Sequence, residues 1–530
     1  MKINKKILTL IIVLLLLLLL NYFSLSIISL RYNEFFMFVL MFVTIILIMI
    51  LAKDDIPRIN LRGNFVEGRS SFKKIYIIFF ISIAISIIYN ISSSPIFFSK
   101  SYKNLIGNVE TKDFVDNFNN ADVNNLPIVD HDLAVQLGDK RLGEEIGLGS
   151  EYNVGKFSDI TYNGKMMAVA PLEFNDVFKW INNKTTPGYI TVDKVSGKVE
   201  LVNKLGNKDI KLKYLESSFF NNDLLRHVYY NGHMFDNLNI TAFELDDNGN
   251  PYFVISKLNK TIFINGGEDV KSILLVNAVS GKIKEYNLNN IPKWVDNVYP
   301  REIVMKQLND WGYYVNGFFN TLFAQKNIIT TTSGSRTIYN NGMYHYTGLT
   351  SVGKDESTVG LAFINTRNKQ TSFYKVTGAT EEAAMASAEG KVQDLGYNAT
   401  FPLPININNN PTFLITLKDN KGLVKQYSFI NIHDYSKVAN NDNLTVAKDN
   451  YLKLLDVKVE DAIKTKGFVE RIGFNIIDND IVYYIVVEGN NTIFTGNNLK
   501  SLSLTKYKDE VEFSYIGDKI IDFKNKSMGE

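Results

Sequence analysis

Three long apolar runs crowd the first hundred residues and decide the setting of everything after them. They span Ile7–Leu30, Phe35–Ala52 and Ile75–Phe98. A hydrocarbon core about 30 Å thick takes roughly 20 apolar residues at 1.5 Å per residue. The first run reaches that length around an unbroken Leu14–Leu20 core, and the second sits at the short end of the spanning range beside Glu34. The third carries polar groups such as Tyr76, Ser82, Ser86, Tyr89 and Asn90, and no charge. A cleaved signal peptide would also begin with a basic cluster like Lys2, Lys5 and Lys6. Here the apolar region is too long for that, and a second run follows at once. The expectation is an anchor over residues 1–98, with retained helices at about 7–30, 35–52 and 75–98.

Orientation follows from where lysine and arginine fall in the short loops. The amino terminus and the segment holding Lys53, Arg58, Arg62, Arg69, Lys73 and Lys74 are basic, whereas the first connection offers only Arg31. Both basic segments belong in the cytoplasm. The turn at Arg31–Glu34 and everything from Ser99 onward then lie outside. No charge stands within the runs themselves, which argues against a transport pathway inside this chain alone.

The 530 residues contain no cysteine, which excludes disulfides and thiolate metal sites. An extracytoplasmic body of this size without disulfides points to a bacterial membrane, and the wealth of Lys, Ile and Asn agrees. A net charge of +2 gives no reason to expect a nucleic-acid partner. The expected partners are the lipid bilayer and an envelope protein or the cell wall. No cofactor is implied.

Beyond the anchor the pattern is α+β. A short helix is expected near Lys112–Phe118 and another from Asp132 to about Leu142, capped by Asp130 or Asp132. A third is expected over Phe174–Asn182 with Phe174, Val177, Phe178 and Ile181 on its apolar face. Hairpins then recur. "YITVDKVSGKVELV" (Tyr189–Val202) and "ILLVNAVSGKIKEYNL" (Ile273–Leu288) share a turn in which Asp193 or Asn277 ends a strand and Gly197 or Gly281 supplies a positive φ. Gly360–Val376 has the same length with a different turn, and Thr412–Ile432 turns at Asp419–Gly422.

The Tyr189–Val199 pattern and its weaker copy at Leu274–Ile283 resemble the closing hairpin of PepSY-type domains. Helix Thr380–Gln393 followed by the Thr412–Ile432 hairpin has the same order. The resemblance implies small extracytoplasmic α+β modules that bind or inhibit. It carries over no functional residue, because the shared positions are turn formers.

The most aromatic part of the body is Ile291–Asn320, where Pro300 opens a helix with Val304, Leu308 and Trp311 on one face. Trp294, Trp311, Tyr313, Tyr314, Phe318 and Phe319 are the candidate binding surface, with core packing as the bland alternative. The last segment reads as five strands: Gly467–Ile477, Ile481–Val487, Thr492–Thr495, Ser501–Thr505 and Glu510–Phe523. That count suits a small barrel of the OB type. The expected domains are 99–290, 291–450 and 451–530, the last OB-like.

No catalytic constellation stands out. Histidines 227 and 233 do not have the spacing of a zinc helix, and Asp130-His131-Asp132 places its aspartates as helix caps. Asp246-Asp247-Asn248-Gly249-Asn250 looks like a calcium loop, but Pro251 follows and no glutamate closes it, so a hairpin turn is expected. The reading is a non-enzymatic, membrane-anchored binding or scaffolding protein of the bacterial envelope. The rival is a wall-active hydrolase using two acidic residues, which need no sequence motif.

Overall fold

The computed structural model describes residues 19, 21–52, 58–59, 65–66, 72–352, 357–455, 463–477, 480–490, 492–497 and 500–529. Most of the first apolar run and of the basic loop lie outside these. Where the first run is described, it is helical at residues 21–24 and leaves the helix at Leu25, so residues 25–29 do not extend the expected span. Helix Asn33–Ala52 runs antiparallel to helix Phe72–Ser92, with Phe36 stacked on Tyr89 at 3.6 Å. The chain bends at Ser93 and Ser94, and Pro95–Lys103 forms a further helix.

Among the described residues, one helix, Lys74–Lys103, is long and apolar enough to cross a membrane, and Asn33–Ile48 makes a shorter apolar helix. The expected set of three spanning helices is therefore not supported as it stands. Ile77, Phe80 and Ile88 are all exposed along the long helix, so its apolar surface is not covered by protein. The end of this helical pair where Asn33 and Ser92 lie side by side meets the body. Tyr32 Oη donates to the Leu258 carbonyl at 3.1 Å, and Arg31 donates to that of Lys260 at 2.8 Å. Ser93 Oγ accepts from the backbone N–H groups of Ile264 and Asn265.

The chain is mixed α+β and divides into two compact units. The first comprises residues 1–113, 124–383 and 419–423, and the second 114–123, 384–418 and 424–530. The first unit holds three copies of one module, a helix or helical turn followed by an antiparallel meander. In the first copy, helix His131–Gly143 precedes the sheet built on Lys165–Phe174, Tyr189–Asp193 and Val199–Val202. The second is the four-stranded sheet from Asn237–Leu245 to Ile283–Asn287. The third follows helix Arg301–Tyr313 and centres on Met343–Ser351, Ser357–Asn365 and Thr371–Tyr374, with Val109–Lys112 added in parallel at the edge.

The second unit contains a fourth copy: Asn410–Lys418, Val424–Asn431 and Val438–Asn441. In the first, third and fourth copies the longest strand is flanked on one side by two short strands laid end to end. Tyr152–Val154 and Ser158–Tyr162 both pair with Lys165–Phe174, and the other two copies repeat this. The second copy has one continuous strand with a bulge between Ile240 and Ala242.

In every copy the third strand ends on Asp or Asn: Asp193, Asn277, Asn365 and Asn431. In the first three, the side-chain Oδ1 accepts from the N–H groups two and three residues on. The residue four on takes φ of +70° at Gly197, +72° at Gly281 and +61° at Lys369. The hairpin Gly360–Val376 thus does not have a different turn. It has the same backbone with lysine where the others have glycine. Conversely, the turn at Asp419–Gly422 joins the second and third strands of its module, and the equivalent of the Ser-Gly-Lys turn there begins at Asn431.

Smaller departures have local causes. The helix expected over Phe174–Asn182 runs Val177–Asn183, because Asp176 caps it and Phe174 belongs to the preceding strand. Its buried face is Trp180, while Phe178 and Ile181 are exposed. The helix near Lys112–Phe118 shrinks to Phe114–Asn117, and Pro300 is the cap of its helix rather than the first residue.

The end of the second unit is a closed five-stranded barrel of Ile463–Ile477, Asp480–Val487, Phe494–Asn497, Lys519–Asn525 and Glu510–Ile516, in that order around it. Its long first strand pairs through Ile463–Phe468 with Glu510–Tyr515 and, past a register shift at Val469/Arg471, with Asp480–Val487. Such a shift bends one strand around both seams. Val469, Ile485, Phe494 and Phe513 fill the interior. Of the five strands expected, the first three correspond to Ile463–Ile477, Asp480–Val487 and Phe494–Asn497, whereas Ser501–Thr505 is replaced by helix Lys500–Ser503 and Glu510–Phe523 is a hairpin turning at Gly517.

Candidate functional site

Helix Arg301–Tyr313 buries Val304 and Leu308 against the second and third sheets. Trp311, half-buried on the same face, packs on Phe373 at 6.4 Å, and Trp294 packs on Tyr252 at 5.2 Å. Tyr314 meets Tyr102. Tyr313 and Phe319 are exposed, with Phe318 edge-on to Phe319. The six aromatic residues therefore do not make one surface. Trp311 is core, and Tyr314, Phe318 and Phe319 lie toward helix Pro95–Lys103. Trp294 borders the cleft described next.

An open cleft of about 410 Å³ lies where the first hairpins of the three modules in this unit converge. Tyr162-Asn163-Gly164 comes from the first, Leu245 and Asp247 from the second, and Tyr339, Asn341 and Gly342 from the third. Lys293, Trp294 and Asp296, on the segment between second and third modules, complete it. The volume falls in the range of small-molecule sites, roughly 300–1,000 Å³. Asn163 at φ +52° and Gly164 at +73° form the tight turn that an Asn-Gly pair favours. The second hairpin is held by Asp246, whose Oδ1 accepts from Asn248 and Asn250 N–H. The calcium-loop lookalike is thus a turn.

The lining includes the aromatic residues Tyr162, Trp294 and Tyr339 and the acidic residues Asp247 and Asp296. Beneath the cleft, Glu244 is completely buried and accepts from the backbone N–H of Asp296 and Asn297 and from Asn297 Nδ2. Burial, then the neighbouring Asp296 carboxylate, pushes the Glu244 carboxyl above the usual range. Burial likewise raises Asp296, which also accepts from Thr161 N–H. Glu244 is thereby a strut for the Asp296–Asn297 backbone, and Asp296 is the one of the two that borders open space. The arrangement can stack a flat or ring-shaped ligand and hydrogen-bond its hydroxyl or amide groups.

Sequence reasoning found Trp294 and the hairpin turn at Asp246–Asn250, but not the other two hairpins around them. The turn signals at Tyr162–Lys165 and Tyr339–Met343 are legible one at a time, whereas their convergence depends on how the modules pack. Three of the five histidines, His227, His233 and His345, have structural partners. His345 is buried, and burial pushes it down to about 3, with Thr337 and the Tyr299 carbonyl as partners. His227 bonds the Gly281 carbonyl at 2.8 Å, and His233 lies 3.0 Å from Asp236. Asp130 caps its helix through Leu133 N–H. Among the described residues, no group of three or more metal-ligating side chains comes together.

No family model matches this chain, and no curated protein matches it. Among solved structures, one match is described as "Dihydro-heme d1 dehydrogenase NirN in complex with DHE", at 8% identity and a TM-score of 0.13. It covers 70% of this chain and 56% of that one, so the chain spans about half the length of that structure. A likeness so slight carries no argument.

Proposed function

We propose that this chain is a membrane-anchored, extracytoplasmic binding or scaffolding protein of a bacterial envelope. The apolar runs anchor it as three helices, with the amino terminus inside and the body outside. Its modules are of PepSY type, and its carboxyl-terminal barrel is of the OB type. The observation that carries the reading is helix Lys74–Lys103, apolar and exposed along its length, whose outer end and partner turn at Arg31–Tyr32 dock on the body. A soluble protein would bury such a helix. The cleft with its aromatic residues supports ligand binding, and a glycan or peptide of the cell wall is the class that an aromatic and carboxylate lining suits.

The missing cysteines make the topology directly testable. Lys421→Cys, exposed on the body, is expected to react with a membrane-impermeant maleimide on intact cells, and Ser70→Cys in the basic loop only after permeabilisation. The reverse pattern would overturn the reading. A second reading, a wall hydrolase, draws on Asp247 and Asp296 bordering one cleft. Clearing of a cell-wall zymogram that is lost in Asp296→Asn or Asp247→Asn would favour it. Unchanged clearing, or none, would count against it.

A further inference from the structure

The body carries exposed aromatic side chains around the place where the helices leave it. Phe263 and Ile264 cap the hairpin between Pro251–Ile262 and Gly266–Asn277, whose tip is tied to Ser93. Phe263 is 58% exposed, stands at φ +51°, a backbone position that favours glycine, and stacks on Phe98 at 5.7 Å. The Met234 carbonyl accepts from Ile28 N–H, so that Phe235, 62% exposed, follows directly on the contact with the outer turn. Tyr230 there stacks on Tyr22, within the first apolar run. The short helix Phe318–Leu322 packs beside Pro95–Lys103 and leaves Phe319 and Phe323 exposed, Phe323 at 80%, and Phe97 on the longer of the two helices is exposed as well.

Only five residues separate helix Pro95–Lys103 from strand Val109–Lys112, at most about 20 Å of extended chain. The body is therefore not held off on a stalk. Exposed aromatic patches of this kind mark an interaction surface. Phe and Leu side chains on the apolar face of surface-bound elements settle at the boundary between headgroups and acyl chains of a bilayer. We propose that Phe97, Phe235, Phe263, Phe319 and Phe323 form a collar that sits at this boundary in the outer leaflet, so that the first unit lies directly on the lipid. The occupant is lipid rather than a second protein, because the exposed aromatic groups adjoin both apolar elements that leave the body, Phe235 beside the turn at Ile28 and Phe263 against Phe98, and the long helix is itself apolar and exposed. The collar rests on the membrane reading above.

The test uses the full chain in lipid nanodiscs, with a single cysteine carrying an environment-sensitive fluorophore at Phe235→Cys, Phe263→Cys or Phe323→Cys. Ile81→Cys in the long helix and Lys421→Cys on the body are the references. Lipids brominated near the headgroup end of the acyl chain are expected to quench all three collar sites and leave Lys421→Cys unquenched. Lipids brominated deep in the chain should quench Ile81→Cys. Quenching at Ile81→Cys with collar sites as bright as Lys421→Cys overturns the collar alone. An unquenched Ile81→Cys overturns the membrane reading as well. Circular dichroism of each labelled variant identifies any that has lost its fold, and the remaining positions then decide.

Discussion

Replacing Gly197 and Gly281 separately by alanine measures what one turn demands in two surroundings. Both glycines occupy the same position of the same hairpin turn, at φ +70° and +72°, with N–H donating to the Asp193 or Asn277 carbonyl at 2.8 Å. An L-residue held in the left-handed region costs about 1–2 kcal/mol. A Cβ on Gly197 would meet Val129 Cγ2 at 3.8 Å and Leu137 Cδ1 at 3.9 Å, ordinary contacts that add nothing. A Cβ on Gly281 would land on the Tyr214 ring. That ring is packed on His227, whose Nε2 is itself bonded to the Gly281 carbonyl, so it cannot move alone. Overpacking of this sort adds about 1–3 kcal/mol. Gly197→Ala is therefore expected to lose about 1–2 kcal/mol and Gly281→Ala about 2–5 kcal/mol. Thermal unfolding of the full chain in detergent, followed by tryptophan fluorescence, should show a midpoint lower by several degrees in Gly281→Ala than in Gly197→Ala. Equal losses, or a milder Gly281→Ala, would refute the claim that the two turns share a backbone and differ only in what surrounds it.

The third turn provides the converse. Lys369→Gly relieves about 1–2 kcal/mol of backbone strain but removes Nζ from Asp269 at 2.6 Å and from the Leu105 carbonyl at 2.8 Å. Charge-assisted hydrogen bonds contribute about 1.5–3 kcal/mol each, so a net loss is expected in the same unfolding assay. Trp311→Ala should destabilise by about 2 kcal/mol, below the ~3–5 of a fully buried tryptophan, whereas Phe319→Ser should stay within about 0.5 kcal/mol of the parent. Equal losses would return the aromatic stretch to a single core. Glu173, largely buried and bonded to Ser217, is pushed up to about 7 by burial from an ordinary 4.5. Its contribution is thus fully present below about pH 4.5 and lost as pH rises through 7. Glu173→Gln should flatten the decline in unfolding midpoint between those values, and an unchanged slope would remove Glu173 from the account.

How much of this was legible in the sequence depends on whether a signal is local. The Ser-Gly-Lys copies showed two of the turns because glycine marks a positive φ. The third was hidden because Lys369 takes that conformation with help from Asp269 and Leu105, which lie 100 and 264 residues away. The fourth was hidden because its loop is one residue longer, so that Ile430 pairs with Val438 where Val192 pairs with Val199. In the barrel, the serine-rich Ser501–Thr505 alternates as a strand would, yet Leu502 is buried within a helical turn where Thr505 Oγ1 donates to the Ser501 carbonyl. The helix expected over residues 174–182 became the shorter 177–183 and lost its face, since Asp176 sets the start and hence which side turns inward. The cleft could not be read at all, because it is made by the packing of modules.

That packing starts from one residue in each copy. The N–H of the residue after the strand-ending Asp or Asn donates to the start of the long strand: Lys194 to Met166, Ala278 to Pro251, Thr366 to Met343 and Ile432 to Pro411. In the first three, its carbonyl accepts from the segment that leads into the module: Val129, Tyr214 and Tyr299. In those three, the backbone of a single residue thus ties together turn, long strand and entry segment, and the rest of the sequence can diverge without losing the module. In a meander this is also the end of the sheet where the first hairpin turns. The hairpins around the cleft therefore rise from the most firmly tied end of each module. A cleft whose walls are fixed in this way presents its aromatic and carboxylate groups at little cost in ordering, which is what a binding site requires.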